Sequence, residues 1–180
     1  MTLCRPSSLL FALCLLGATL AQTKDAHAQT PPCSAAGYND FDFWLGDWEV
    51  RQPDGTLAGT NVISKEEGNC LIIERWRGAD GTTGQSYNYF NPASNRWRQL
   101  WVSQGAIIDY EGSLVAAGKM QLQGRIVYQA DGREADFRGT WTRRTDGSVL
   151  QEFVEKDAES GEWNVWFTGL YTQAKPQQTP

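Results

Sequence analysis

The sequence predicts an all-β protein, a single antiparallel up-and-down β-barrel of about ten strands. Three observations lead there. Turn signals recur throughout the chain after residue 50, and four of them are the dipeptide Asp-Gly (54–55, 80–81, 131–132 and 146–147), which favours tight hairpins because glycine accepts the left-handed backbone without steric cost. Between the turns lie runs of about seven to ten residues rich in Trp, Tyr, Val, Ile and Thr, the composition and spacing of consecutive antiparallel strands. No stretch of the same region carries a helical period. A long meander without crossover helices must stack or roll up, and hairpins throughout favour the rolled form, which leaves no exposed edge.

The 180 residues carry a formal net charge of -5 with 41% hydrophobic residues. That is about one domain. Net negative charge argues against a nucleic-acid partner, since phosphate backbones call for a basic face, and leaves a small molecule, a glycan or another protein.

The first segment, 1–28, reads as a signal peptide. Arg5 is followed by the apolar run 8–21, too short to span a bilayer, and Ala26-His27-Ala28 is a small-residue cleavage pattern, with Thr19-Leu20-Ala21 as a second choice. Phe11-Ala12-Leu13 ahead of Cys14 lacks the small residue of a lipoprotein signal. A soluble product, periplasmic or extracellular, is expected, with no membrane insertion. Cleavage after Ala28 removes Cys4, Cys14 and His27, the only histidine. The mature chain then has no imidazole for a Ser-His or Cys-His pair, a zinc site or a haem ligand. Cys33 and Cys70 remain, and in an oxidising compartment the simplest reading is a disulfide, against two unrelated buried thiols.

Residues 29–40 form an N-terminal arm. Phe41-Asp42-Phe43-Trp44-Leu45-Gly46 is too aromatic for a solvated linker and is expected to form a short turn or helix plugging one barrel end. Strands are predicted at 48–52, 56–65, 70–77, 84–91, 96–103, 106–114, 119–128, 134–143, 148–156 and 163–172, completing a barrel domain at 41–173 before a loose tail at 174–180.

Alternation assigns faces where charge and bulk separate. In 96–103, Arg96 and Arg98 share one face, so Trp97, Gln99 and Trp101 point inward. In 70–77, Arg75 and Arg77 share a face, which sends Ile72, Glu74 and Trp76 inward. A buried carboxylate is costly unless it is paired or protonated; a bulge turning Glu74 outward, or a structural hydrogen bond across the barrel, is the alternative. In 84–91 the sets Ser86, Asn88, Phe90 and Gln85, Tyr87, Tyr89 do not separate, nor do Val149, Gln151, Phe153 and Leu150, Glu152, Val154 in 148–156. Eight tryptophans either fill the barrel solidly or wall a cavity with a few polar groups, the usual form of a small-molecule site.

Phe41-Asp42-Phe43-Trp44-Leu45-Gly46-Asp47-Trp48, then CLIIERW at 70–76, Gly84-Gln85-Ser86-Tyr87-Asn88 and Trp97-Arg98-Gln99-Leu100-Trp101-Val102 resemble a secreted bacterial family of lipocalin-like (calycin) barrels known as a domain of unknown function. The resemblance extends to Trp163 and Gly169-Leu170-Tyr171. It implies a calycin-like barrel with Glu74, Trp76, Ser86, Asn88, Trp97, Gln99 and Trp101 as a shared interior set, and it carries over no activity. The related nitrobindin type of barrel binds haem iron through a histidine that the mature sequence lacks.

Other chemistries have weak support. Gly84-Gln85-Ser86-Tyr87-Asn88 misses the second glycine of a nucleophile elbow, the loop 78–84 lacks the lysine and helix of a phosphate site, and no calcium-loop spacing occurs. Arg75-Trp76-Arg77 and Arg96-Trp97-Arg98 suggest an aromatic, basic surface, but alternation parts Trp from Arg. No metal and no cofactor is expected. The reading is a binder of a small ligand, cationic or hydrogen-bonding. Trp44, Trp76, Trp97 and Trp101 form its walls, and Glu74, Ser86, Asn88, Gln99 and Gln151 its polar anchors. The alternative is a cofactor-independent isomerase or lyase using Glu74 as general acid and base in the same cavity.

Overall fold

A computed structural model describes residues 30–175; residues 1–29, which include the expected signal peptide, and the last five residues lie outside the described part. Ten antiparallel strands run β1 (Gly46–Arg51), β2 (Leu57–Glu66), β3 (Leu71–Gly78), β4 (Thr83–Asn91), β5 (Arg96–Ser103), β6 (Ala106–Ala116), β7 (Lys119–Tyr128), β8 (Glu134–Arg143), β9 (Val149–Lys156) and β10 (Trp163–Gln173). Each pairs with the next, and β1 pairs with β10 to close the barrel. The strands fall where the turn signals place them.

The four Asp-Gly turns share one construction. Each glycine has positive φ (Gly55 85°, Gly81 86°, Gly132 72°, Gly147 83°). Each aspartate accepts, through Oδ1, the backbone N–H two residues on: Thr56 at 2.9 Å, Thr82 at 3.0 Å, Arg133 at 2.9 Å and Ser148 at 3.0 Å. The side chain thus fixes the turn that the glycine permits.

The outside of the barrel carries ion pairs across neighbouring strands, Arg98 with Asp109 at 2.7 Å and Arg125 with Glu134 and Asp136 at 3.0 and 2.8 Å. Among the described residues no helix is long and apolar enough to cross a membrane.

One barrel end is filled. The expected plug is a 3-10 turn, Asp42–Trp44, that drives Phe41 and Trp44, both fully buried, into the barrel. Phe41 stacks on Trp44 at 4.9 Å between ring centroids and meets Trp141 edge-on at 5.1 Å and Trp97 at 5.7 Å. The arm crosses this end as a second 3-10 turn, Ala36–Asn39. Lys65 ties the arm down through Nζ, which donates to Tyr38 O (3.0 Å), Asn39 Oδ1 (2.9 Å) and Asp42 Oδ1 (2.7 Å).

Cys33 and Cys70 form a disulfide with a Cα–Cα distance of 5.0 Å, fastening the arm to the start of β3, a pairing suited to an oxidising compartment. The bridged residues are 37 apart in sequence. Cys70→Ser is therefore expected to cost roughly 4 kcal/mol through the entropy returned to the unfolded chain, read as a lower urea midpoint that wild type shares only when reduced.

Candidate functional site

The opposite end is open. Strands β3, β5, β6, β9 and β10 surround a cavity of about 160 Å³, close to the size of an engineered pocket of about 150 Å³ that binds benzene in another protein. Its upper walls are Trp76, Trp101, Phe153, Trp166 and Phe167, and its floor brings together Glu74, Gln99, Tyr110, Gln151 and Tyr171. The tryptophans therefore divide between the two expected roles, packing solidly at the plugged end and surrounding space at the open one.

Two glycines make room for the walls. A Cβ on Gly84 would overlap the benzo ring of Trp101, and one on Gly59 would lie 2.7 Å from the Trp76 ring, so each indole lies flat across the strand beside its own. Gly84→Val is expected to push Trp101 into the cavity. The barrel should survive with a loss of about 1–3 kcal/mol, and a crystal structure of the variant should show the Trp101 ring where the empty space was.

The mouth owes its shape to a bulge. In β10 the register against β9 shifts between Val165 and Phe167, so Trp166 is the extra residue and two successive aromatics reach the opening. Trp166, 44% exposed, packs on Phe137 at 5.4 Å and donates its indole N–H to Tyr128 Oη at 3.0 Å. Tyr128 in turn donates to Glu155, which accepts from Arg133 at 2.7 Å.

The polar floor is a continuous chain of hydrogen bonds. On one side Tyr110 Oη donates to Gln99 Oε1, Gln99 Nε2 donates to Asn88 Oδ1, Asn88 Nδ2 donates to Ser86 Oγ (2.9 Å), and Ser86 Oγ donates to Glu74 Oε2 (2.6 Å). On the other side Asn61 Nδ2 donates to Glu74 Oε1 (2.6 Å) and to Tyr171 Oη (3.3 Å), which donates to Gln151 Oε1 (2.9 Å). Both Glu74 oxygens accept. The donors in the Tyr110 branch point toward that carboxyl, an arrangement that suits its ionised form.

Burial opposes this. Glu74 is 4% exposed, and among the described residues no Lys, Arg or His lines the cavity. Desolvation outweighs the hydrogen bonds from Ser86 and Asn61 and pushes the Glu74 carboxyl up to about 7. The Tyr110 and Tyr171 hydroxyls are held well above their ordinary range, first by burial and then by the nearby Glu74 charge. They stay protonated wherever Glu74 titrates.

Of the expected site residues, Glu74, Trp76, Gln99, Trp101 and Gln151 line the cavity. Ser86 and Asn88 are buried behind it as links of the chain to Glu74. Trp44 and Trp97 are not cavity walls: both belong to the packed end, where Trp97 donates its indole N–H to Gly37 O at 2.9 Å. The undecided strands resolve with Ser86, Asn88, Phe90 and Val149, Gln151, Phe153 turned inward. Sequence reasoning passed over Asn61, Tyr110 and Tyr171. Each is a buried polar residue on an apolar-facing register, Asn61 between Gly59 and Ile63, and that alternation was the available signal. Among the described residues no group of His, Cys, Asp and Glu is placed to hold a metal ion.

Fold and site together define a closed ten-stranded barrel with one plugged end and one open, aromatic-walled cavity. No protein-family model matches the chain, and no curated protein is significantly similar to it.

Proposed function

We propose that this is an exported barrel of the lipocalin-like kind, cleaved near Ala28, that binds a small molecule in the open-end cavity and neither engages nucleic acid nor inserts into a membrane. The observation that carries this reading is the cavity itself: apolar aromatic walls above a few convergent polar groups, the usual make-up of a small-ligand site. Gln151 adds a directional contact, since its Oε1 accepts from Tyr171 and its Nε2 has no hydrogen-bond partner among the described residues. The half-buried walls Trp76, Trp101 and Phe153 would gain about 25 cal/mol for each Å² of apolar surface covered by a ligand.

Ligand-observed NMR with a library of neutral and charged fragments of up to about ten heavy atoms tests this. Fragments should give saturation transfer from wild type and lose it with Gly84→Val, whose Trp101 occupies the space. Fragments that bind both proteins alike would place binding elsewhere and overturn the reading.

A second reading starts from the place of Glu74, a buried carboxyl lining the cavity and held by Asn61 and Ser86 at 2.6 Å each, which burial pushes up to about 7. A carboxyl near neutrality is suited to taking and returning a proton, so an isomerase or lyase acting in the same cavity would lose turnover with Glu74→Gln while still binding substrate.

A further inference from the structure

Given a ligand-binding cavity, which is the reading above, the floor and walls say which chemistry it takes. The Glu74 carboxyl accepts at both oxygens, from Asn61 and Ser86 at 2.6 Å each. The branch that begins at Tyr110 runs through Gln99 and Asn88 and ends on it. Tyr110 and Tyr171 give their protons to Gln99 and Gln151 instead, so neither neutralises the carboxyl. The interior therefore holds a site organised for one negative charge, with no cationic side chain facing it among the described residues. Buried carboxylates are otherwise found paired, because the uncompensated charge is so costly.

The walls complete the pattern. The aromatic faces available above Glu74 belong to Trp76, Trp101, Phe153, Trp166 and Phe167, and indole and phenyl rings attract a cation through their quadrupoles, tryptophan most strongly. A carboxylate below and rings around it is the arrangement that recognises ammonium ions. A neutral hydrocarbon would leave the carboxyl unpaired, and an anion would be repelled by it.

We propose that the cavity binds a small organic ammonium ion, its charge shared between the Glu74 carboxylate and the faces of Trp76 and Trp101. The cavity size of about 160 Å³ limits the guest to a compact ion, of the bulk of choline or a short alkylammonium. The ion supplies the counter-charge that the fold omits.

Isothermal calorimetry on the oxidised mature protein tests the assignment with choline and n-butylammonium, each against a neutral isostere, 3,3-dimethylbutan-1-ol and butan-1-ol. At pH 8 wild type should bind at least one cation about tenfold or more tightly than its isostere. Glu74→Gln should remove that preference, leaving cation and alcohol within about twofold. Trp101→Leu, which keeps the carboxyl, should weaken the cation several-fold. Equal binding of cation and alcohol to wild type, with Glu74→Gln indifferent, would overturn the ammonium assignment and leave the cavity reading standing. Cations failing to bind while neutral fragments occupy the cavity would overturn it too. No fragment of any kind entering the wild-type cavity would sink both readings together.

Discussion

Glu74→Gln is expected to make the protein more stable at pH 8 while leaving it little changed at pH 4.5. Both the folded and the unfolded chain hold the Glu74 proton below the ordinary carboxylate value of 4.5. Between there and about 7 the unfolded chain has released it and the folded chain still binds it. Folding therefore takes up a proton in that window, and stability falls as pH rises through it. Above about 7 the penalty is complete, on the order of 3 kcal/mol for a fully buried group. The exposed turn aspartates Asp54, Asp80, Asp146 and Asp157 have lowered values, chiefly from hydrogen bonds to Thr56, Thr82, Ser148 and Ser160. Their contributions are lost at acid pH in both proteins and cancel in the comparison. Urea unfolding at pH 4.5, 6 and 8 gives the answer: the wild-type curve should fall relative to the variant across the window, and parallel curves would mean that Glu74 is already compensated.

Phe41→Ala is expected to cost about 3–5 kcal/mol, the range for truncating a fully buried aromatic. Phe41 is the centre of the plug, touching Trp44, Trp97 and Trp141 from one position. The loss should appear as a lower urea midpoint at unchanged m, with the open-end cavity still binding its fragments, because plug and cavity lie at opposite ends. A loss below about 1 kcal/mol would show that the plugged end collapses around the deletion.

The barrel was legible in the sequence because its turns are chemically explicit. An Asp-Gly pair states both the left-handed residue and the side chain that caps it, and four of them set the spacing of the meander. The inward placement of Glu74 and Gln99 was legible for a different reason: Arg75, Arg77, Arg96 and Arg98 mark the outer face, and period two does the rest once no bulge intervenes in β3. Strands without such a marker, 84–91 and 148–156, could not be oriented until their neighbours were in place.

What stayed hidden depends on position along the barrel axis. Alternation says that Trp97 and Trp101 point inward, but only strand polarity and the plug decide that Trp97 meets Phe41 at the filled end while Trp101 faces open space. The β10 bulge that brings Trp166 to the mouth leaves no trace in composition. Asn61 reaches Glu74 across the β2–β3 pairing, 13 residues away, and reaches Tyr171 of β10 across the barrel closure, 110 residues away along the chain.

The central claim is a solitary carboxyl at the floor of an accessible aromatic cavity. The most direct measurement is a carbon-13 NMR titration of the Glu74 side-chain carboxyl, in free protein and with saturating choline. A midpoint near 7 that moves down when the cation binds is expected. An ordinary midpoint near 4.5, indifferent to choline, would contradict it.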